Sequence, residues 1–170
     1  MAALNWSDAL VLDLPFMDRE HHAFVTSIER VDRAEDARLA EAWSDLLACT
    51  TDHFAREDLW MRSSGFASGK DHIVQHRVVL EVMREGLIQA REGRLLQVRE
   101  MARQLRSWYV KHVQTMDAAL ALHLRGMRFD PAMLQAVTVP GVPRVNANLQ
   151  RAASTASASP AGIPDRRQSA

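Results

Sequence analysis

The chain has 170 residues, of which 47% are hydrophobic, and its 21 basic residues balance its 21 acidic ones. This is about the length and composition of one globular domain, and the balanced charge argues against nucleic acid as a partner, because binding phosphates requires a basic face. No stretch approaches the ~18 consecutive apolar residues that a membrane span needs. The first fifteen residues contain no Lys or Arg, and the chain has one cysteine, Cys49. We therefore expect no secretion signal and a cytoplasmic protein.

Four helices are predicted, because apolar residues recur at steps of three and four along the chain. An N-terminal arm that ends near Pro15 precedes them. The predicted helices cover about residues 17–34, 36–64, 71–93 and 95–126. No run alternates apolar and polar residues over the length of a strand. We therefore predict an all-α fold, an up-down-up-down antiparallel four-helix bundle with an N-terminal arm.

Residues 127–170 differ in composition from the residues before them. They hold five of the six prolines, their arginines outnumber their aspartates, and from residue 146 they contain almost nothing that could join a core. Such a segment cannot offset the entropy that ordering costs. We predict a bundle domain over residues 1–126 and a disordered tail over residues 127–170. Within the tail, Met133, Leu134 and Val137 could form one helical turn on the body. The tail could hold a protein partner, although an extension without a function explains it more simply.

Polar residues interrupt each apolar helix face near one level of the predicted bundle. These residues are His21, His53, Glu57, His72, His76 and His112. A spacing of four residues places His53 beside Glu57, and His72 beside His76, on one helix face. Because alternate helices run in opposite directions, all these positions converge toward one end of the core. Buried imidazoles and carboxylates are costly unless they have a partner, and a metal is the simplest common partner.

The ligand types narrow the choice of metal. Nitrogen and carboxylate oxygen without thiolate suit iron, manganese, cobalt or zinc. Five histidines exceed a four-coordinate site, whereas two metals that share carboxylate bridges could use them all. Glu57 could be one bridge, and Asp117 is the only acid near His112 on the fourth helix. Asp117 lies five residues after His112, about 140° around an ideal helix, so it would have to reach from the flank or lie on a local π-bulge.

Four segments resemble the hemerythrin family in its bacterial form. Residues 17–21, 53–61, 72–76 and 108–117 read MDREH, HFAREDLWM, HIVQH and WYVKHVQTMD. The resemblance covers about residues 4–126, and all seven ligand positions are filled in order. By contrast, the sequence lacks the Glu-x-x-His pairs of ferritin-like bundles and the His-Glu-x-x-His motif of zinc peptidases.

The resemblance implies reversible O2 binding at a carboxylate-bridged non-haem di-iron centre. It implies that the protein is an oxygen binder and not an enzyme. The first iron would be held by His72, His76 and His112, the second by His21 and His53, and both by Glu57, Asp117 and an oxo or hydroxo bridge. Six ligands would then occupy all coordination positions of the first iron. The second iron would have five ligands and one open coordination position for O2. Two other functions stay open: a di-iron enzyme such as a peroxidase or nitric oxide reductase, and a metal-buffering or partner-binding helical module.

The residues around the open position include one departure from the family pattern. The family usually has leucine where this chain has Tyr109. By the same resemblance, Trp108, Tyr109 and Val113 would line the O2 pocket. Tyr109 precedes His112 by three residues and therefore shares the metal-facing side of the helix. Its phenol could donate a hydrogen bond or a proton to bound oxygen, or swing away to solvent. We expect Tyr109 to alter the lifetime of the oxygenated state. The alternative is a hydroxyl at the protein surface with no effect.

Overall fold

A computed structural model describes residues 6–135 of the chain, and within that range it contains helices and no strand. The long helices are α1 (Pro15–Arg33), α2 (Leu39–Ser64), α3 (Gly69–Arg91) and α4 (Leu95–His112). A π-helical segment, Val113–Asp117, continues α4 directly into α5 (Ala118–Gly126), and α6 (Ala132–Gln135) is a single turn. Each long helix packs on the next one, and α4 also packs on α1. The predicted all-α, antiparallel four-helix bundle is confirmed.

The turn between α2 and α3 shows how the sequence reverses the chain. Gly65 has φ +67°, a left-handed conformation in which a side chain would be strained. The N–H of Phe66 donates to the carbonyl of Met61 at 3.0 Å, which closes the end of α2. The sharp turn lets α3 return along α2, so that residues late in α2 face residues early in α3.

Two separate apolar clusters form the interior. The larger includes Phe24, Trp43 and Leu46, and the smaller includes Met17 and Trp60. On α1, His21 lies between Met17 and Phe24, and on α2, His53 and Glu57 lie between Leu46 and Trp60. The predicted polar residues therefore form a layer across the bundle, with apolar packing on both sides.

The N-terminal arm is fixed to the bundle by three hydrogen bonds. The N–H of Leu12 donates to the Asp18 carboxylate at 2.8 Å, and Arg125 donates to the carbonyl of Leu12 at 2.6 Å. Leu10 is buried, and its carbonyl lies 3.4 Å from Nδ1 of His21. The arm thus brings a backbone acceptor to the polar layer.

The structure describes only the beginning of the segment that we predicted to be a tail. Phe129 and Leu134 pack against the smaller cluster. Met133 and Leu134 of the predicted helical turn lie in α6, and its third residue, Val137, lies outside the described residues. Residues 136–170, to which most of the predicted disorder applies, lie outside the described residues. Within the described part of the chain, no helix combines the length and apolar character needed to cross a bilayer.

Candidate metal centre

The structure brings all seven predicted ligand residues together, and each is at most 2% exposed. One group of potential ligand atoms comes from Glu57, His72, His76, His112 and Asp117, and an overlapping group comes from His21, His53 and Glu57. Within each group, the ligand atoms all lie within 4.8 Å of one another. The described residues therefore contain one buried polar cluster with two histidine-bearing sides, a three-histidine side and a two-histidine side.

The spacing on the three-histidine side fits a metal ion. Nε2 of His112 lies 2.9 Å from Nε2 of His72 and 3.3 Å from Nε2 of His76. Two ligand atoms at right angles about a metal, each about 2.1 Å from it, lie about 3 Å apart. Three imidazoles at this spacing cannot all be satisfied by hydrogen bonds to one another. A shared cation accounts for their convergence.

Each carboxylate directs its two oxygens to different sides of the cluster. Asp117 places Oδ1 3.0 Å from Nε2 of His72 and Oδ2 3.4 Å from Nε2 of His21. Glu57 places Oε2 3.3 Å from Nε2 of His76 and Oε1 3.1 Å from Nε2 of His53. This is the arrangement that carboxylates need to bridge two metal ions.

Asp117 reaches the cluster because the helix widens. Val113–Asp117 is π-helical, and a π-turn pairs residues five apart instead of four. It places Oδ1 of Asp117 3.2 Å from Nε2 of His112. Of the two alternatives that the sequence left open for Asp117, the π-bulge is the one that the structure contains.

Hydrogen bonds outside the cluster orient three of the histidine rings. Nδ1 of His76 donates to Oδ1 of Asp58 at 2.8 Å, and Nδ1 of His112 lies 3.3 Å from Oε1 of Gln75. Nδ1 of His21 faces the carbonyl of Leu10, as described above. Because these oxygens accept hydrogen bonds, Nδ1 of each ring carries a proton, and Nε2 is the atom left to bind a metal in the cluster.

The sequence prediction missed these orienting residues. Asp58 and Gln75 stand beside predicted ligands in the sequence, but a carboxylate or amide next to a ligand is common on helix surfaces. Which of them turns toward a neighbouring histidine depends on how α2 and α3 are rotated against each other. The third orienting group is the backbone carbonyl of Leu10 in the N-terminal arm, and no side-chain type in the sequence indicates a backbone acceptor.

The charges of the cluster require a cation. Burial raises the pKa of Glu57, but the surrounding histidines outweigh burial and hold it well below its usual range. Burial likewise opposes ionisation of Asp117, yet its pKa is also lowered, by contacts with His112, His21 and His72. Both carboxylates are fully buried, and no described atom forms a hydrogen bond of good geometry with any of their oxygens. Buried charge of this kind is stable only beside opposite charge.

In the absence of metal, protons supply that opposite charge. Burial lowers the pKa of His21, but Asp117 and Glu57 more than offset burial and raise it to about 10. Burial also lowers the pKa of His76, and Asp58 and Glu57 raise it to about 9. A metal ion entering the cluster therefore replaces protons on these rings.

Two of the predicted pocket residues, Tyr109 and Val113, are fully buried. The Tyr109 ring stands nearly perpendicular to the rings of His21 and His53, with centroids 6.1 and 6.4 Å away. Tyr109 therefore lies on the two-histidine side. The alternative prediction, a hydroxyl at the protein surface, is wrong, because α1 and α2 cover this face of α4.

Trp108 lies elsewhere than predicted. Its half-buried ring stacks on His112, with centroids 4.4 Å apart, and so belongs to the three-histidine side. The reason is helical geometry: Trp108 precedes His112 by four residues, a full turn, and packs directly against it. Trp108 and Tyr109 are neighbours in sequence, but Trp108 contacts the three-histidine side of the cluster and Tyr109 contacts the two-histidine side.

A helical bundle with a buried His/Glu/Asp cluster of this kind defines a metal-binding protein, and comparisons with known proteins specify its class. The family model of the hemerythrin HHE cation binding domain matches residues 12–122. The chain belongs to the hemerythrin family. This membership and the cluster together support a non-haem iron-binding domain.

Individual relatives agree with this assignment. The chain is 32% identical to the bacteriohemerythrin of Ralstonia nicotianae over 124 residues, which cover 73% of this chain and 90% of the relative. It is 27% identical to a Pseudomonas aeruginosa bacteriohemerythrin over 122 residues, 69% of this chain and 79% of the relative. A crystal structure of a hemerythrin point mutant has the same fold, with a TM-score of 0.64 at 19% identity, covering 73% of this chain and 98% of that one.

Proposed function

We propose that the chain holds two iron ions in this cluster and binds O2 reversibly, as a carrier, store or sensor of oxygen. The observation that carries the proposal is the division of the carboxylate oxygens. Glu57 and Asp117 each present one oxygen to the three-histidine side and one to the two-histidine side. A single metal ion would leave half of these oxygens, and the histidines beside them, without a partner.

The distances within the cluster support an assignment of the ligands to the two irons. One iron would be held by His72, His76 and His112, and the other by His21 and His53, with Glu57 and Asp117 shared between them. When bound, such a pair with an oxo or hydroxo bridge supplies two electrons to O2. The two-histidine side has one protein ligand fewer than the three-histidine side. We therefore place the position for O2 on the two-histidine side.

The surroundings of the two-histidine side favour reversible binding over turnover. Tyr109, Phe24 and Val113 are all fully buried and belong to the larger apolar cluster. These side chains exclude bulk water from that side and hold the imidazoles of His21 and His53 in a dry environment. A dry site slows proton delivery, and proton delivery is what converts bound reduced oxygen into free product.

The proposal is tested by loading the metal-free chain with ferrous iron under argon and then admitting air. We expect two iron ions per chain and a visible absorption band that appears with O2 and disappears when argon returns. In Asp117→Asn, which has a similar shape but lacks the charge, we expect fewer than two iron ions per chain. One iron per wild-type chain, or no spectral response to O2, would contradict the proposal, as would sustained consumption of O2, peroxide or nitric oxide.

A further inference from the structure

The hydroxyl of Tyr109 is buried and has no hydrogen-bond partner among the described residues. Its side chain is completely inaccessible to solvent, and its ring is held firmly by stacking on Phe24 with centroids 3.7 Å apart. A buried hydroxyl without a partner destabilises the fold, and phenylalanine would fill the same space without that cost. Packing therefore explains the ring of Tyr109 but not its oxygen.

The position of the ring indicates where this oxygen could act. Tyr109 contacts the rings of His21 and His53 edge-on, and the described aromatic contacts of Tyr109 include none with the three-histidine side. The ring thus adjoins the side of the cluster that has fewer protein ligands. A phenol keeps its proton at neutral pH and has one hydrogen to donate.

We propose that Tyr109 donates a hydrogen bond to the small, electron-rich ligand that binds on the two-histidine side, and so sets which ligands bind there and how tightly. The ligands concerned are O2 and small anions that share its size and its terminal lone pairs. This inference rests on the proposed function, because the ligand position exists only when metal is bound. It makes Tyr109 a residue that determines ligand affinity, whereas its packing partner Phe24 only holds it in place.

The test is an azide titration of the oxidised, iron-loaded full chain, followed by visible absorption, in wild type and Tyr109→Phe. A hydrogen bond to a charged group strengthens binding by roughly tenfold or more, so we expect at least that loss of azide affinity in the variant. The vibrational frequency of bound azide should shift in D2O for the wild type and not for Tyr109→Phe. Affinities within twofold of each other, or equal D2O shifts, would overturn the inference.

A second measurement does not depend on iron. Metal-free Tyr109→Phe should melt at the same temperature as metal-free wild type or higher, because the variant loses an oxygen without a partner. A lower melting temperature would show that the hydroxyl already has a partner inside the protein, such as a buried water, and would overturn the inference. If wild-type protein with two irons bound no azide, the ligand position itself would be refuted, and the proposed function would fall with it. Azide binding that is equal in both proteins refutes only the role of Tyr109.

Discussion

Asp58 lies on α2, and its Oδ1 accepts a hydrogen bond of 2.8 Å from Nδ1 of His76 on α3. The carboxylate is about one-fifth exposed, whereas the imidazole is buried. Asp58 therefore stands at the boundary between solvent and cluster, where it keeps its charge at little cost. Its contact fixes both the orientation of the His76 ring and the nitrogen that carries the proton.

Removing this carboxylate should weaken metal binding. In Asp58→Ala we expect iron affinity to fall by about 10- to 100-fold, the usual effect of losing a group that orients a metal-ligating histidine. Competition with a chelator measures the change. Asp52→Ala, an exposed acid on the same helix, is the matched control and should bind iron as the wild type does. Equal affinities of the two variants would show that Asp58 does not orient His76.

The metal-free chain should lose stability in alkaline solution. His21 has a pKa raised from 6.5 to about 10, and His76 from 6.5 to about 9. A raised pKa in the folded state contributes stability that is complete below the unfolded value and disappears as pH rises through the folded value. Urea unfolding of metal-free protein should therefore give a lower midpoint at pH 10 than at pH 6.5. A midpoint that stays constant or rises would contradict the protonation of these rings.

Metal affinity should change with pH in the opposite direction. Iron that binds as proposed would displace protons from His21 and His76, so binding should become tighter as pH rises from about 6.5 toward 9, and it should release protons. Proton release is measured with a pH indicator during anaerobic titration with ferrous iron in weak buffer. Release that is equal in wild type and in Asp58→Ala would contradict the prediction, because the variant lowers the proton affinity of His76.

Gly86 allows α2 and α3 to approach closely beside Trp43. A Cβ at position 86 would overlap the indole ring of Trp43, which is 1% exposed and donates from Nε1 to the carbonyl of Met83 at 2.7 Å. Gly86→Ala should therefore reduce the free energy of unfolding by about 1–3 kcal/mol, the usual cost of overpacking. Urea unfolding with tryptophan fluorescence measures it. Gly126→Ala, where the added methyl group meets open space, is the control and should not be destabilised.

The helices and most of the cluster could be predicted from the sequence because both depend on local periodicity. His53 and Glu57, or His72 and His76, must share a helix face once the segment is helical. Antiparallel packing then brings these faces to one level. The bounds of α1 to α3 differ from the predicted ones by two residues or fewer, except at the start of α2, where Asp36–Arg38 forms a separate 3-10 helix.

Features that depend on how helices rotate against each other could not be predicted. Spacing alone placed Asp117 away from the His112 face, and only the π-turn brings it back. Trp108 and Tyr109 differ by one residue, about 100° of helix, so a small rotation of α4 decides which side of the cluster each contacts. The role of Asp58 depends in the same way on the register of α2 against α3.

The layered interior links the survival of the folded chain to the supply of metal. The charged layer lies between the two apolar clusters, so packing at this level of the bundle depends on how the buried charges are neutralised. Iron that binds the native chain and not the unfolded one shifts the folding equilibrium by mass action. A cell that runs short of iron would then hold more opened chains, and proteases would remove these first.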